Sequence, residues 1–265
     1  KQKFLLEEQA KNISDSLHYA QHIIAAMLSP IEQFNLIIPE NFIFLQPKEI
    51  VSGDFYWFAE KNNKTYIAAV DCTGHGIPGA FMSIIAMNLL NRLVNNGHTD
   101  PGVILNLMNK EIIETFKKNL NEEHIKDGMD IALCVIDINN KNLQFAGAYN
   151  PAYIIRDDNL IQLKGDRKSI GNDFEFDAYT TLSFKLYNDD IIYIFSDGYA
   201  DQFGGPYRRK FKQTRFRYLL LTIYKLPFIQ QREVIKNTLF DWKGDYEQID
   251  DILIIGFKPL SKLNP

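Results

Sequence analysis

The spacing of apolar residues in the first thirty positions is typical of a long helix with one apolar stripe. Seven apolar residues follow one another at alternating steps of four and three: Leu6, Ala10, Ile13, Leu17, Ala20, Ile24 and Met27. This is the heptad spacing of a coiled coil over three repeats, and Pro30 is expected to end the helix. Residues 1–30 are therefore predicted to form an N-terminal helix. It either associates with a second copy or another partner, or packs on its own domain.

The remaining apolar pattern predicts strands, two helices, many strands, two helices and a closing strand. Strands are expected at residues 42–46, 55–59, 66–70, 131–138, 143–148, 152–155, 160–163, 191–196 and 252–257. Helices are expected at residues 78–96, 100–120, 214–224 and 228–242. Asn62-Asn63 is expected to form a hairpin turn. Because helices do not alternate with strands, a doubly wound parallel sheet is disfavoured, and an α+β fold of two packed antiparallel sheets flanked by helices is favoured.

Length and charge narrow the classes of function. The 265 residues suffice for one sizeable domain with an appendage. A net charge of −4 offers no basic field for nucleic acid, so no nucleic-acid partner is expected. One local basic cluster is interpreted as the solvated start of a helix. Its members are Arg208, Arg209, Lys210, Lys212, Arg215 and Arg217.

Cysteine use and hydropathy bear on location. Cys72 and Cys134 have no CxxC spacing, so a zinc site of the usual kind is not supported, and both are interpreted as core residues. No apolar run is expected to reach the roughly 18 residues that span a bilayer, and no signal peptide is visible. We therefore expect no membrane contact within this fragment. The expected location is cytoplasmic, including as the output domain of a larger sensor or membrane-attached protein.

Four acidic motifs flank apolar strand-like runs and carry the candidate chemistry. Their central residues are Asp54, Asp71, Asp197 and Asp250. A single Asp at a strand end is usually only part of a turn, but four such residues suggest a shared site. Four converging carboxylates would repel one another unless cations lay between them. Oxygen ligands in that number suit Mg²⁺ or Mn²⁺, and a two-metal site is the usual reason to gather them.

The order of the motifs resembles that of the metal-dependent (type-2C, PPM) protein serine/threonine phosphatases, and within them the bacterial SpoIIE-like branch. The matching stretches are VSGDFY at 51–56, DCTGHGIPGAFM at 71–82, AGAYNP at 146–151, SDGY at 196–199 and DDI at 250–252. The resemblance covers residues 40–258, which are expected to form the phosphatase domain. It implies a four-layer αββα sandwich of two antiparallel sheets between helix pairs, preceded by the linker helix.

The resemblance also implies roles for individual residues around two Mn²⁺ or Mg²⁺ ions. Asp71 would bridge both metals, and the backbone carbonyl of Cys72 would bind one of them. Asp197 and Asp250 would hold the second metal, and Asp54 would bind or orient water beside the pair. Asp251 is a further candidate. His75 is expected to be either a general acid for the leaving group or a turn residue.

Three positions depart from the family pattern or lack a counterpart. Gly79 replaces a common Ala, a change that we expect to be neutral. Asp130 replaces a common Thr, and it is expected either to bind a further metal or water, or to cap a strand. Lys48 is expected either to take the place of the phosphate-binding Arg of the animal enzymes or to be a solvated loop lysine.

The implied activity is hydrolysis of phosphoserine or phosphothreonine on a bacterial regulatory protein, for example an anti-sigma-factor antagonist. The two metal ions would activate the attacking water, and the N-terminal helix would regulate the domain, including through a homodimer. The alternative is a non-catalytic signalling module of the same fold that binds a phosphoprotein or dimerises. A hydrolase for small phosphoesters lacks a supporting nucleotide motif.

Overall fold

Two five-stranded antiparallel sheets form the centre of the computed structural model, which describes residues 2–74, 76–119, 128–171 and 177–261. The strands of sheet I lie in the order β2 (Phe55–Lys61), β3 (Lys64–Cys72), β4 (Met129–Asp137), β5 (Asn142–Ala148) and β8 (Leu182–Lys185). Those of sheet II lie in the order β1 (Asn41–Gln46), β12 (Ile252–Phe257), β9 (Ile191–Phe195), β6 (Ala152–Arg156) and β7 (Asn159–Leu163).

Helices cover the outer face of each sheet. The pair α3 (Ile77–Asn95) and α4 (Pro101–Asn119) covers sheet I, and the pair α6 (Gln213–Ile223) and α7 (Phe228–Lys243) covers sheet II. A third apolar layer fills the space between the sheets. Because β9 and β12 are buried on both faces, they consist of continuous apolar residues instead of alternating ones. The predicted α+β four-layer sandwich is confirmed.

Local signals in the sequence account for several boundaries. Asn62 and Asn63 have φ values of 53° and 59°, the left-handed conformation that a two-residue hairpin turn requires. The carboxylate of Asp100 accepts the backbone N–H of Val103 at 3.0 Å and caps α4. The short elements α2 (Ile31–Ile37), α5 (Gly198–Asp201) and β8 were not expected from the sequence.

The N-terminal helix α1 (Gln2–Met27) has two environments along its length. Ile24 and Met27 pack against the apolar layer between sheet I and its helices. Nearer the N-terminus, Leu6 and Ile13 are 65% and 60% exposed. The end of the helix therefore packs on its own domain, whereas the predicted coiled coil stays a prediction.

Two expectations about single segments are corrected, one of them in part. Among the described helices, α3 is long and apolar enough to cross a membrane, contrary to the expectation that no run would be. Its apolar composition has a local cause, because 56% of the relevant stretch is buried and the helix packs on β2, β3 and α4. In the basic cluster, Lys212 is the N-cap of α6 and Arg215 and Arg217 lie near its start, as expected, but residues 208–210 do not start a helix. They belong to a hairpin of β10 (Phe203–Gly204) and β11 (Arg209–Lys210).

Candidate metal centre

The four acidic motifs meet at one edge of the sandwich, which we call the acidic edge. Asp54 immediately precedes β2, and Asp71 lies next to the end of β3. In sheet II, Asp197 follows β9 and Asp250 precedes β12. Since neighbouring strands are antiparallel, the start of one strand lies beside the end of the next. The sheet topology thus brings side chains from distant parts of the chain to the same edge.

Asp54 is the most buried of the four, with 3% of its surface exposed. Its Oδ2 atom is buried and has no hydrogen-bond partner among the described residues. Burial is the main reason why the pKa of Asp54 lies well above its usual value, and the charges of Asp251, Asp250 and Asp197 raise it further. The hydroxyl of Ser196 acts in the opposite direction. A buried carboxylate oxygen without a partner is an unsatisfied acceptor that a cation would satisfy.

Asp71 lies at the centre of the acidic edge. It is in register with Asp130 on the neighbouring strand β4. Burial first, and then the charges of Asp54, Asp197, Asp130 and Asp250, raise the pKa of Asp71 well above its usual value. Asp71 therefore lies within electrostatic reach of four other carboxylates, and its predicted role as a bridge between two cations stays a prediction.

The neighbouring Cys72 is buried, and this burial is the main reason why the pKa of its thiol lies well above the ordinary value. Without a bound cation the thiol therefore stays protonated at neutral pH. This chemistry is compatible with the predicted role of Cys72, which uses its backbone carbonyl.

The sheet II side of the site contains Asp197 and Asp250. The pKa of Asp197 is raised to about 6, first by desolvation and then by the charges of Asp201 and Asp250, while Lys210 lowers it. One carboxylate oxygen of Asp250 accepts the backbone N–H of Asp251 at 2.9 Å. The two side chains thus lie within electrostatic reach of each other at the ends of adjacent strands.

Asp251 has a clear structural task. It is buried, and its two carboxylate oxygens accept the backbone N–H groups of Lys48 and Gly53, each at 2.8 Å. Both contacts hold the loop that carries Asp54. Asp251 therefore positions the neighbouring Asp54. Lys48 takes part in this contact through its backbone N–H. The predicted role of its side chain in binding phosphate stays a prediction.

Asp130 adds a further acid to the edge. It accepts the hydroxyl of Ser169 at 2.5 Å. Burial raises its pKa to about 6, with Asp197 contributing in the same direction and Ser169 opposing. Asp130 is the second residue of β4, and both of its predicted roles stay predictions. Ser169 had no signal in the sequence, since it lies in a loop outside the recognised motifs.

Backbone packing beneath the site explains its glycines. A Cβ atom on Gly79 would lie 2.1 Å from the carbonyl oxygen of Gly74 and 2.9 Å from the Cα of Gly53. The expectation that Ala would be neutral at position 79 is therefore wrong for this chain. The close approach fixes α3 against the two loops that precede β2 and follow β3.

The described part of the acidic edge holds no preformed ligand cluster. Within the described residues, no three His, Cys, Asp or Glu side chains already form a closed ligand set. Like charges repel one another, which opposes a tighter cluster of these carboxylates when no cation lies between them. His75, the predicted general acid, lies outside the described residues, and its role stays a prediction.

The residues present fit divalent cations. The edge supplies carboxylate oxygens from both sheets, one of them buried and without a partner, and oxygen-only ligand sets of this kind suit Mg²⁺ or Mn²⁺. The raised pKa values of Asp54, Asp71, Asp130 and Asp197 have a common cause, which is the confinement of several negative charges in a partly desolvated cleft. Bound cations would remove that penalty.

Comparison with known sequences gives two matches. The sequence profile of the family described as Stage II sporulation protein E (SpoIIE) matches residues 61–259. The phosphoserine phosphatase RsbU of Bacillus subtilis (strain 168) is 25% identical over 162 residues, which are 58% of this chain and 44% of RsbU. The match thus spans less than half the length of that relative.

Comparison with solved structures agrees with the sequence matches. The SiaA-PP2C domain of Pseudomonas aeruginosa is 32% identical with a TM-score of 0.84, and the match covers 94% of this chain and 98% of that domain. The PP2C phosphatase domain of SpoIIE from Bacillus subtilis, solved with a fragment of its regulatory domain, has a TM-score of 0.66. It is 18% identical over 83% of this chain and 62% of the other, so that likeness shows the fold alone.

Proposed function

This chain belongs to the SpoIIE family of PP2C-type phosphatase domains, and we propose that it is a metal-dependent protein serine/threonine phosphatase. The observation that carries the proposal is the acidic edge, where carboxylates of both sheets lie within electrostatic reach of Asp54 and its buried, unpartnered oxygen. The RsbU relative, named a phosphoserine phosphatase, supports phosphoserine as the substrate group.

Five residues would hold the metal ions, which we propose to be two Mn²⁺ or Mg²⁺: Asp54, Asp71, Cys72 through its carbonyl, Asp197 and Asp250. The chemistry that such cations supply is a water of lowered pKa and positive charge beside the phosphoryl oxygens. The chain's own part is to hold these ligands at strand ends. Asp251 fixes the loop of Asp54, and Ser196 accepts the backbone N–H of Leu253 at 2.9 Å, which joins β9 to β12 beneath Asp197.

The substrate that we propose is a phosphorylated bacterial regulatory protein, for example an anti-sigma-factor antagonist. The acidic edge is open to solvent at Asp197, so a phosphoserine on the surface of a folded protein is able to reach it.

Phosphate release from a phosphoserine protein tests the activity directly. With Mn²⁺, the wild type is expected to release phosphate, and EDTA is expected to stop it. Asp71→Asn should lower the rate at least about 100-fold, because it removes the charge that two cations would share. Asp157→Asn is the matched control, since Asp157 is exposed in the turn between β6 and β7 at the opposite edge. Equal rates for wild type and Asp71→Asn would refute the proposal.

The second candidate is a non-catalytic module that binds a phosphoprotein or dimerises. The exposed apolar residues of α1 favour the dimerising form. Metal uptake separates the two candidates, because a binding module has no need of cations. A wild type that takes up no Mn²⁺ at millimolar concentration would be the binding module.

Regulation through the N-terminal helix is part of the proposal. Residues of α1 and α3 line an apolar groove of about 540 Å³, with Leu17 and Ile24 on one side and Ile77 and Phe81 on the other. Ile77 and Phe81 are 49% and 63% exposed, although both are large and apolar. Since α3 begins directly after the loop that follows Asp71, a second copy of α1 seated here would influence the metal ligands. We propose a homodimer through this face.

A further inference from the structure

The hairpin of residues 203–212, which we call the basic hairpin, opens an unusually basic segment in an acidic protein. From Gln202 to Arg232 the sequence contains eight Lys and Arg residues and no Asp or Glu. The chain as a whole has a net charge of −4. A local field of opposite sign is expected at this part of the surface.

The basic hairpin is fastened to the segment that carries the predicted metal ligand Asp197. The helix α5 begins one residue after Asp197. The backbone N–H of Lys212 donates to the carbonyl of Ala200 in α5 at 2.7 Å, and the ammonium group of Lys210 lies 2.6 Å from the carboxylate of Asp201. The hairpin is thus a neighbour of the acidic edge.

Only part of this positive charge is neutralised within the protein. Lys210, Lys225 and Arg232 each pair with a carboxylate, and Arg217 bonds to Tyr153 and Gln162. Arg215 donates to the backbone carbonyl of Phe211 at 3.2 Å. In contrast, the cationic groups of Arg208, Arg209 and Lys212 have neither a carboxylate partner nor a hydrogen-bond acceptor in the described parts of the chain. Arg208 lies 5.5 Å from the ring of Tyr246 and Arg209 lies 5.7 Å from the ring of Tyr207.

The backbone of the hairpin is held in an unfavourable conformation. Arg208 has a φ of 46°, and Lys212 has φ 73° and ψ 148°, a region that is nearly restricted to glycine. The buried ring of Phe211 fixes this geometry from below by contacts with Tyr199 and Trp242, at centroid distances of 5.2 Å and 5.4 Å. Such strain at an exposed site is typical of ligand contacts, and a rigid surface loses little entropy on binding.

We infer that the basic hairpin docks an acidic segment of the phosphoprotein substrate next to its phosphoserine, through Arg208, Arg209 and the 79% exposed ring of Tyr207. The inference rests on the proposed phosphatase function. The carboxylates of the acidic edge repel an acidic substrate, and a fixed cationic surface beside them offsets that repulsion. We favour a protein segment over nucleic acid or a membrane because of where the hairpin lies. Arg208, Arg209 and Lys212 lie near the predicted metal ligand Asp197, which the phosphoserine of a protein substrate must approach.

Two phosphoserine peptides test the inference, one with Glu and one with Gln at the positions flanking the phosphoserine. We expect the wild type to prefer the Glu peptide in kcat/KM. In the double variant Arg208→Gln, Arg209→Gln that preference should fall about tenfold, mainly through KM, and its salt dependence should weaken. Rates on p-nitrophenyl phosphate serve as the reference for each protein.

Arg232→Gln is the control. Arg232 is an exposed arginine of the same segment, but it lies about 15 Å along α7 from Trp242. Trp242 is the residue of α7 that contacts the hairpin. It should keep the full preference. A double variant that also keeps it would overturn the inference.

Fluorescence anisotropy of an unphosphorylated, labelled Glu peptide gives a second readout that does not need turnover. The double variant should bind this peptide about tenfold more weakly than the wild type. Tighter arginine-dependent binding of duplex DNA or of phosphatidylserine vesicles than of the peptide would overturn the inference in favour of those partners. If the wild type hydrolyses no phosphoester, the proposed activity is refuted. The anisotropy measurement still shows whether the Glu peptide binds through Arg208 and Arg209.

Discussion

At the scale of single residues, the role of each carboxylate in the site depends on its hydrogen-bond partners. Asp251 is satisfied by two backbone N–H groups, whereas one oxygen of Asp54 is buried without a partner. The two side chains have the same chemistry, and burial alone does not separate them, since both are 3% exposed. Their hydrogen bonds therefore assign Asp251 to positioning and leave Asp54 available to a cation.

Asp130 allows a test of whether the negative charges confined at the acidic edge destabilise the metal-free fold. Its pKa in the folded protein is about 6, against an ordinary value of 3.8, so the folded chain binds more protons than the unfolded chain between these values. Its contribution to stability is complete below about pH 4 and is lost as the pH rises through 6. Metal-free wild type should therefore be less stable at pH 7.5 than at pH 5.

Asp130→Asn should raise the unfolding free energy at pH 7.5 by about 1 kcal/mol and flatten its pH dependence. Asn is able to accept the hydroxyl of Ser169 in place of the carboxylate, so the hydrogen bond is retained. Urea denaturation in EDTA at the two pH values measures both effects. The same pH dependence in variant and wild type would show that this carboxylate carries no such penalty.

At the scale of elements, predictability from the sequence follows the length of each periodic pattern. The strand Ile252–Phe257 could be predicted with its observed bounds, and the helices that begin near Pro78 and Pro101 within one residue. The basic hairpin could not be predicted, because strands of two residues carry no periodic signal. The role of Asp251 could not be predicted either, since its contacts join residues 203 and 198 positions apart in the chain.

The helix α1 carries the prediction that belongs to this scale. Leu6 is 65% exposed, whereas Leu17 lines the groove beside α3. A substitution at Leu17 would disturb packing within one chain as well as any dimer, so Leu6 is the sharper position. If the homodimer forms through α1, Leu6→Asp should convert it to a monomer in sedimentation velocity, because a charge would be buried at the helix contact.

Gln9→Asp is the control for Leu6→Asp, since it adds the same charge at an exposed polar position of α1. It should leave the sedimentation coefficient of the wild type unchanged. A wild type that sediments as a monomer, or a Leu6→Asp variant that sediments as the wild type does, would remove the dimer from the account.

At the scale of the whole molecule, the antiparallel sandwich gathers the site from the full length of the chain. Asp54 and Asp71 come from sheet I, and Asp197 and Asp250 come from sheet II. Separate apolar layers on both sides of each sheet hold the strand ends in place. The fold could be predicted from the order of the elements and the family resemblance, but the geometry of the ligands could not, because it depends on how the two sheets pack.

Anomalous diffraction from crystals grown with Mn²⁺ tests the central claim most directly, since it locates the metal and its ligands together. The account predicts two manganese peaks at the acidic edge, with Asp71 in contact with both at about 2.2 Å. Asp197 and Asp250 should hold one of the two ions, and Asp54 should lie beside the pair. Crystals with no manganese at this edge, or with manganese that Asp71 does not contact, would contradict the account.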